Sequence, residues 1–171
     1  MIRQLATGVA VAAALALTPA APAYADVPQP SAAFVGAIVA SGDTAYVMIR
    51  YTCTSVVTPG NHLFVAVKQG PDVNTTNQSG SAFAQSFYST NWMSDEGPNA
   101  LTCDGKSRTQ RVVVKPDIYW APHHPGAPAL SSGTALAQIC VFDNITAIVN
   151  GEPVGGFAPS YTMERVIAAG R

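Results

Sequence analysis

Thr44 to Cys53 reads Thr-Ala-Tyr-Val-Met-Ile-Arg-Tyr-Thr-Cys, and its alternation decides the fold class. Ala45, Val47, Ile49, Tyr51 and Cys53 fall on one side of an extended chain, and Tyr46, Met48, Arg50 and Thr52 on the other. A period of two with a charged residue on the second face is the pattern of a half-buried β-strand. The strand is preceded by Ser41-Gly42-Asp43, which is turn chemistry, and it ends on a cysteine.

Working outward, the same grammar repeats. Ala33–Ala40 predicts a first strand, and Thr58-Pro59-Gly60-Asn61 predicts a turn. His62–Gln69 predicts a strand with Leu63, Val65 and Val67 inward. Gly70–Gly80 is loop composition, and Ser81–Tyr88 alternates again. A second loop, Ser89–Ala100, carries Trp92 and Met93. A short strand enters Cys103, and Arg108–Lys115 is a further strand. Pro116–Leu130 holds four prolines in fifteen residues. Proline fixes φ and removes a backbone donor, so this segment is a connection between strands. Gly133–Phe142 is a strand with Ala135, Ala137, Ile139 and Val141 on one face. Asp143-Asn144 starts a hairpin into Ile145–Val149 that turns at Asn150-Gly151, and after Gly155-Gly156 the segment Ser160–Ala168 is a last strand or, as the alternative, a short helix. The charged residues Asp43, Asp72, Asp95, Glu96, Asp104, Asp143 and Glu152 all lie beside turn formers. The expectation is an all-β, immunoglobulin-like antiparallel β-sandwich of about seven to nine strands.

Residues 1–25 read as a signal peptide preceding one domain, 26–171. Arg3 gives the positive start and Val9–Leu17 a short apolar core. Ala23-Tyr24-Ala25 is the small-x-small site that places cleavage before Asp26. The apolar run falls short of the about 20 residues a membrane-spanning helix needs, and Pro19 and Pro22 interrupt it. The expectation is a secreted or cell-envelope protein with no stable membrane span after cleavage. The whole chain has a formal net charge of −1, and removing the leader takes one basic residue away. Lys68, Lys106, Arg108, Arg111 and Lys115 are scattered, whereas nucleic-acid surfaces cluster such residues on one face. Nucleic acid is not an expected partner.

Three cysteines in a secreted chain allow one bridge and one leftover thiol. Cys53 with Cys103 would close a loop of about 50 residues. Cys53 with Cys140 would mimic an inter-sheet bridge, although Gln138 stands where a tyrosine is expected. Cys140 is then either a buried apolar thiol or a reactive group open to intermolecular pairing.

Several short motifs occur in a definite order: Tyr51-Thr52-Cys53, Leu63 to Gln69, Cys103-Asp104-Gly105, Arg111 to Val114, and Gly133 to Ala137. This order resembles small secreted actinobacterial proteins of uncharacterised role with an immunoglobulin-like, two-cysteine β-sandwich. The resemblance runs from about Phe34 to Val141. It implies a Cys53–Cys103 bridge, with Cys140 and the tail after Phe142 departing from the pattern.

Candidate sites are few. His123-His124 sits in a Pro-rich loop beside Asp117 and Tyr119, and a third ligand such as His62 or Asp117 would complete a metal site. There is no G-x-S-x-G elbow, and Ser79-Gly80-Ser81 has no flanking signature. The only adjacent carboxylates are Asp95-Glu96. No cofactor motif is visible, and the chain leans away from an enzyme. Trp92, Tyr119, Trp120, His123 and His124 fall in predicted loops with polar neighbours, the composition of a binding surface. The leading expectation is a non-enzymatic binding module for an extracellular protein or cell-wall glycan. The alternative is a small secreted hydrolase or metal-binding protein built on the His123-His124 loop.

Overall fold

The computed structural model describes residues 30–53, 62–75, 82–90, 101–149 and 152–169, with the side chains of 62, 142–149 and 152–158 left out. The expected signal peptide and Trp92 therefore lie outside the described residues.

The chain is all-β. Its strands are β1 (Ser31–Phe34), β2 (Ile38–Ser41), β3 (Thr44–Thr52), β4 (His62–Gln69), β5 (Ser86–Ser89), β6 (Arg108–Pro116), β7 (Gly133–Val149) and β8 (Glu152–Ala168). The opening stretch is β3, and its alternation holds: Ala45, Val47, Ile49 and Tyr51 are buried, while Met48 and Arg50 are exposed. β2 and β3 form a hairpin in which Ser41 pairs with Thr44. Gly42 has φ +60°, the left-handed conformation that such two-residue turns require and that side chains resist.

Hydrogen bonding runs round the molecule as a closed ring of seven strands, β3–β2–β8–β7–β4–β5–β6 and back to β3. β1 adds to the outer part of β3, pairing Ser31 with Thr52 and Phe34 with Ile49. The barrel differs from a sandwich of two separate sheets at two corners. The expected single strand Ala33–Ala40 breaks at Gly36, whose φ of +76° turns the chain. Beyond the break, β2 pairs with β3 on one side and runs parallel to β8 on the other, with Ile38 opposite Val166. At the second corner β5 bonds to both β4 and β6, joining β6 through Tyr88–Pro116 and Ser89–Lys115. A closed ring leaves fewer unpaired edges for other chains to extend.

Three boundaries depart from expectation. The strand expected over Ser81–Tyr88 begins only at Ser86, because Gln85 N donates to Gln69 O across a turn. Gly70 permits that turn, since a Cβ there would collide with the Phe83 carbonyl. β7 does not end at Phe142 but runs through Asp143-Asn144 to Val149, with a register shift between Asp143 and Ala147; the expected turn Asn150-Gly151 lies outside the described residues. The last strand begins at Glu152 rather than Ser160, so Gly155-Gly156 lies within β8, and Val149 pairs with Glu152. β4 pairs with β7 only from Leu136 to Phe142, so the far end of the β7–β8 ribbon extends past it.

The barrel interior is filled from every side by alternate residues, among them Val47, Ile49, Val65, Val112, Ile139 and Val166. Cys53 and Cys103 are bridged. With a sequence separation of 50, the bridge contributes about 4 kcal/mol by limiting the unfolded chain. Around it, Gly105 N donates to Cys53 O at 2.9 Å and Thr102 N donates to the Tyr51 hydroxyl at 3.3 Å.

Candidate functional site

The long connection from β6 to β7 carries most of the sequence candidates and is pinned along its length. Asp117 follows β6 directly and is 6% exposed. Its Oδ1 accepts from the backbone N–H groups of Tyr119 at 3.0 Å and Trp120 at 2.8 Å. Its Oδ2 accepts from Ser89 Oγ at 2.5 Å. An aspartate that bonds the backbone two and three residues on is an Asx turn, and here it fixes where Tyr119 and Trp120 start. A short 3-10 turn, Ala121–His123, follows. Farther along, Ser86 Oγ donates to Pro128 O at 2.7 Å. Gln69 clamps Ser131, accepting from its N–H at 2.9 Å and donating to its carbonyl at 2.8 Å.

Trp120 lies between two other rings. His124 stacks on it with centroids 3.9 Å apart and planes at 7°, and Phe87 meets it edge-on at 6.1 Å. His124 Nδ1 is 2.9 Å from Trp120 O; a carbonyl only accepts, so this nitrogen carries the proton. Beside the stack, Phe87, Trp120, His124, Pro125 and Pro128 help line a cleft of about 210 Å³. Next to it, sharing Pro128, is a groove of about 350 Å³ lined by Gln69, Gln85, Ser86, Ser131, Ser132 and Thr134 among others. No lining residue of the groove is charged, so its polarity comes from amides and hydroxyls. Tyr119 is 60% exposed and Ile118 59%, both at the start of the pinned loop.

The sequence candidates thus separate. Trp120 and His124 meet in one cleft, while Tyr119 and His123 lie on the outside of the same loop. The expected third ligands for a metal are Asp117 and His62, and the side chain of His62 lies outside the described residues. Both oxygens of Asp117 are already engaged by the loop and Ser89. His62 pairs at the other end of β4 from Lys68, about 20 Å along the strand. Among the described residues no three His, Cys, Asp or Glu side chains come together to hold a metal ion. No described helix is long and apolar enough to cross a membrane.

A second cluster was not visible in the sequence. Phe64, Lys68, Gln138 and Cys140 occupy the outward rows of β4 and β7, yet all four are buried. Lys68 Nζ donates to Gln138 Oε1 at 3.0 Å and lies 4.9 Å from the Phe87 ring centroid. Gln138 Nε2 is 3.4 Å from Cys140 Sγ and 3.5 Å from the Tyr161 hydroxyl. Burial lowers the Lys68 amine to about 8, although the fields of Cys140 and Asp117 act against it. Burial raises the Cys140 thiol, opposed by the Gln138 hydrogen bond and by Lys68. Burial also raises the Tyr161 phenol. The available signals were the lysine inside the apolar run His62–Gln69 and the lone glutamine within Ala135–Val141. No protein-family model, curated protein or solved structure matches the chain.

Proposed function

We propose that this is a non-enzymatic, extracellular or cell-envelope binding module that takes an uncharged glycan along the Gln85–Ser132 groove and the adjoining Trp120–His124 cleft. The observation that carries this reading is the pinning of the loop. Asp117 through Ser89, and Ser86 and Gln69 directly, hold it to the barrel, so its surface exists before any ligand arrives. Pre-organisation of this kind lowers the ordering cost of binding, and binding loops on rigid scaffolds are built this way. Amide and hydroxyl groups suit the hydroxyls of a neutral sugar chain, and the aromatic–proline cleft suits the apolar face of one ring.

The reading extends to fold and location. Pairing of β1 with β3, β3 with β6, β4 with β7 and β7 with β8 matches the strand neighbours A–B, B–E, C–F and F–G of an immunoglobulin-like domain. On that assignment β2 and β5 bridge the two sheets at the corners where the barrel closes. The disulfide and the leader-like residues 1–25 support export.

The test is retention of the purified mature protein on insoluble cell-wall glycan. Gln85→Ala together with His124→Ala is expected to reduce retention at least tenfold with the fold intact by circular dichroism. Wild-type protein that washes through would end the glycan reading.

A further inference from the structure

We propose that Lys68 and Gln138 form an intramolecular amide cross-link, in which the lysine amine displaces ammonia from the glutamine carboxamide and joins β4 covalently to β7.

The geometry places the two groups as reactants. Gln138 pairs with Ala66, so Lys68 is its diagonal neighbour on the same outward row. Lys68 is 3% exposed and Gln138 7%, so their contact lies out of bulk water. Nζ already touches Oε1 at 3.0 Å, and the carbonyl carbon lies one bond behind that oxygen. Two groups held this way react as one molecule, which removes most of the entropic cost of their meeting. The amine's acidity is shifted in the useful direction, because a value of about 8 leaves about a tenth of it neutral at pH 7.

The other end of the carboxamide is equally specific. Ammonia is a poor leaving group unless its nitrogen gains a proton. The Cys140 thiol and the Tyr161 hydroxyl flank that nitrogen at 3.4 and 3.5 Å. Burial raises both, so both keep their protons at neutral pH. The step balances without an oxidant or reductant. Lys68 first loses its ammonium proton to solvent. The Nζ lone pair then forms a bond to the Gln138 carbonyl carbon, and the carbonyl π pair moves to Oε1. One Nζ proton passes to Nε2 through the thiol or phenol, which gives a proton and receives one back. The carbon–Nε2 bond breaks, ammonia departs, and the carbonyl re-forms as a secondary amide. The product replaces a buried ammonium with a neutral group, which removes a desolvation cost that the charged lysine carries.

The test is the intact mass of the mature wild-type protein after reduction, followed by peptide mapping. Expected is a mass lower by one ammonia than the reduced sequence, with the Lys68 and Gln138 peptides recovered as one branched species. Lys68→Arg, which keeps the cation and the hydrogen bond, is expected to have its full sequence mass. A full-mass wild type overturns the proposal, and so does an ammonia loss that persists in Lys68→Arg or maps to a thioester on Cys140. The wild-type map decides even if the variant fails to fold.

Discussion

The pairings β3–β6 and β4–β7 are built from similar alternating sequence and end in different surroundings. In β3–β6 one row faces the barrel interior and the other faces solvent. Met48, Arg50, Arg111 and Lys115 are exposed there, and Arg111 lies over the Tyr46 ring at 5.1 Å. In β4–β7 both rows are buried. Leu63, Val65 and Val67 fill the barrel, while Phe64 and Ala66 cluster with Phe87 of the neighbouring β5, with Cys140 and with Trp120 of the pinned loop, and the Lys68 amine lies over the Phe87 ring. Covering an outward row converts it from a solvated surface into a second small core, and every polar group caught there must find a partner. Lys68, Gln138 and Cys140 meet for that reason.

The sharpest way to break the comparison is by truncation. Phe64→Ala is expected to cost about 3–5 kcal/mol, as an interior aromatic does. Met48→Ala, on the solvated row of β3, is expected to stay within about 0.5 kcal/mol. Chemical denaturation measures both, and a Phe64→Ala loss as small as that of Met48→Ala would make β4 a one-sided strand.

Next in size is the loop that does the covering. Asp117→Ala removes the acceptor for Ser89, Tyr119 and Trp120 and is expected to cost about 1–3 kcal/mol. Tryptophan fluorescence should shift to the red as the Trp120–His124 stack opens. An unchanged spectrum with unchanged stability would mean that the loop is held by its other anchors alone.

The smallest effect belongs to the exposed side. Arg108 bonds Asp104 at 2.7 Å, and this hydrogen bond holds the carboxyl at about 2, below its ordinary 3.8. A carboxyl depressed on folding adds stability that is present above its ordinary value and lost as the pH falls through its folded value. The window is therefore pH 4 down to 2. Both partners are solvated, so the contribution is slight. Arg108→Ala should lower stability slightly at pH 7, flatten its fall across that window and leave it unchanged below about pH 2, which urea unfolding at a series of pH values, followed by circular dichroism, would read.

Strand identity was legible wherever one face of the strand was wet, because solvent imposes the alternation that reading depends on. β3 and β6 appear at almost their observed limits. Closure was not legible. Whether β2 and β5 bridge neighbouring strands depends on hydrogen bonds between residues far apart in sequence, which local composition does not encode. The strand end expected at Phe142 failed because a ribbon tolerates turn-forming residues such as Asp143-Asn144 when both strands continue. In the site, tryptophan and histidine in a Pro-rich loop marked the right segment. Asp117 was weighed as a metal ligand, and only its three hydrogen bonds identify it as the loop's anchor. Lys68 and Gln138 were hidden because the groups that bury their row, Phe87, Trp120 and Tyr161 among them, come from segments far away in sequence.

The covered outer row of β4–β7 is tested most directly by the reactivity of Cys140, the free cysteine, which is 1% exposed on that row. Native protein should take up no thiol reagent over the time in which urea-unfolded, unreduced protein takes up one equivalent, and it should run as a monomer without reductant. Rapid labelling of the native protein, or a disulfide-linked dimer through Cys140, would contradict two-sided burial.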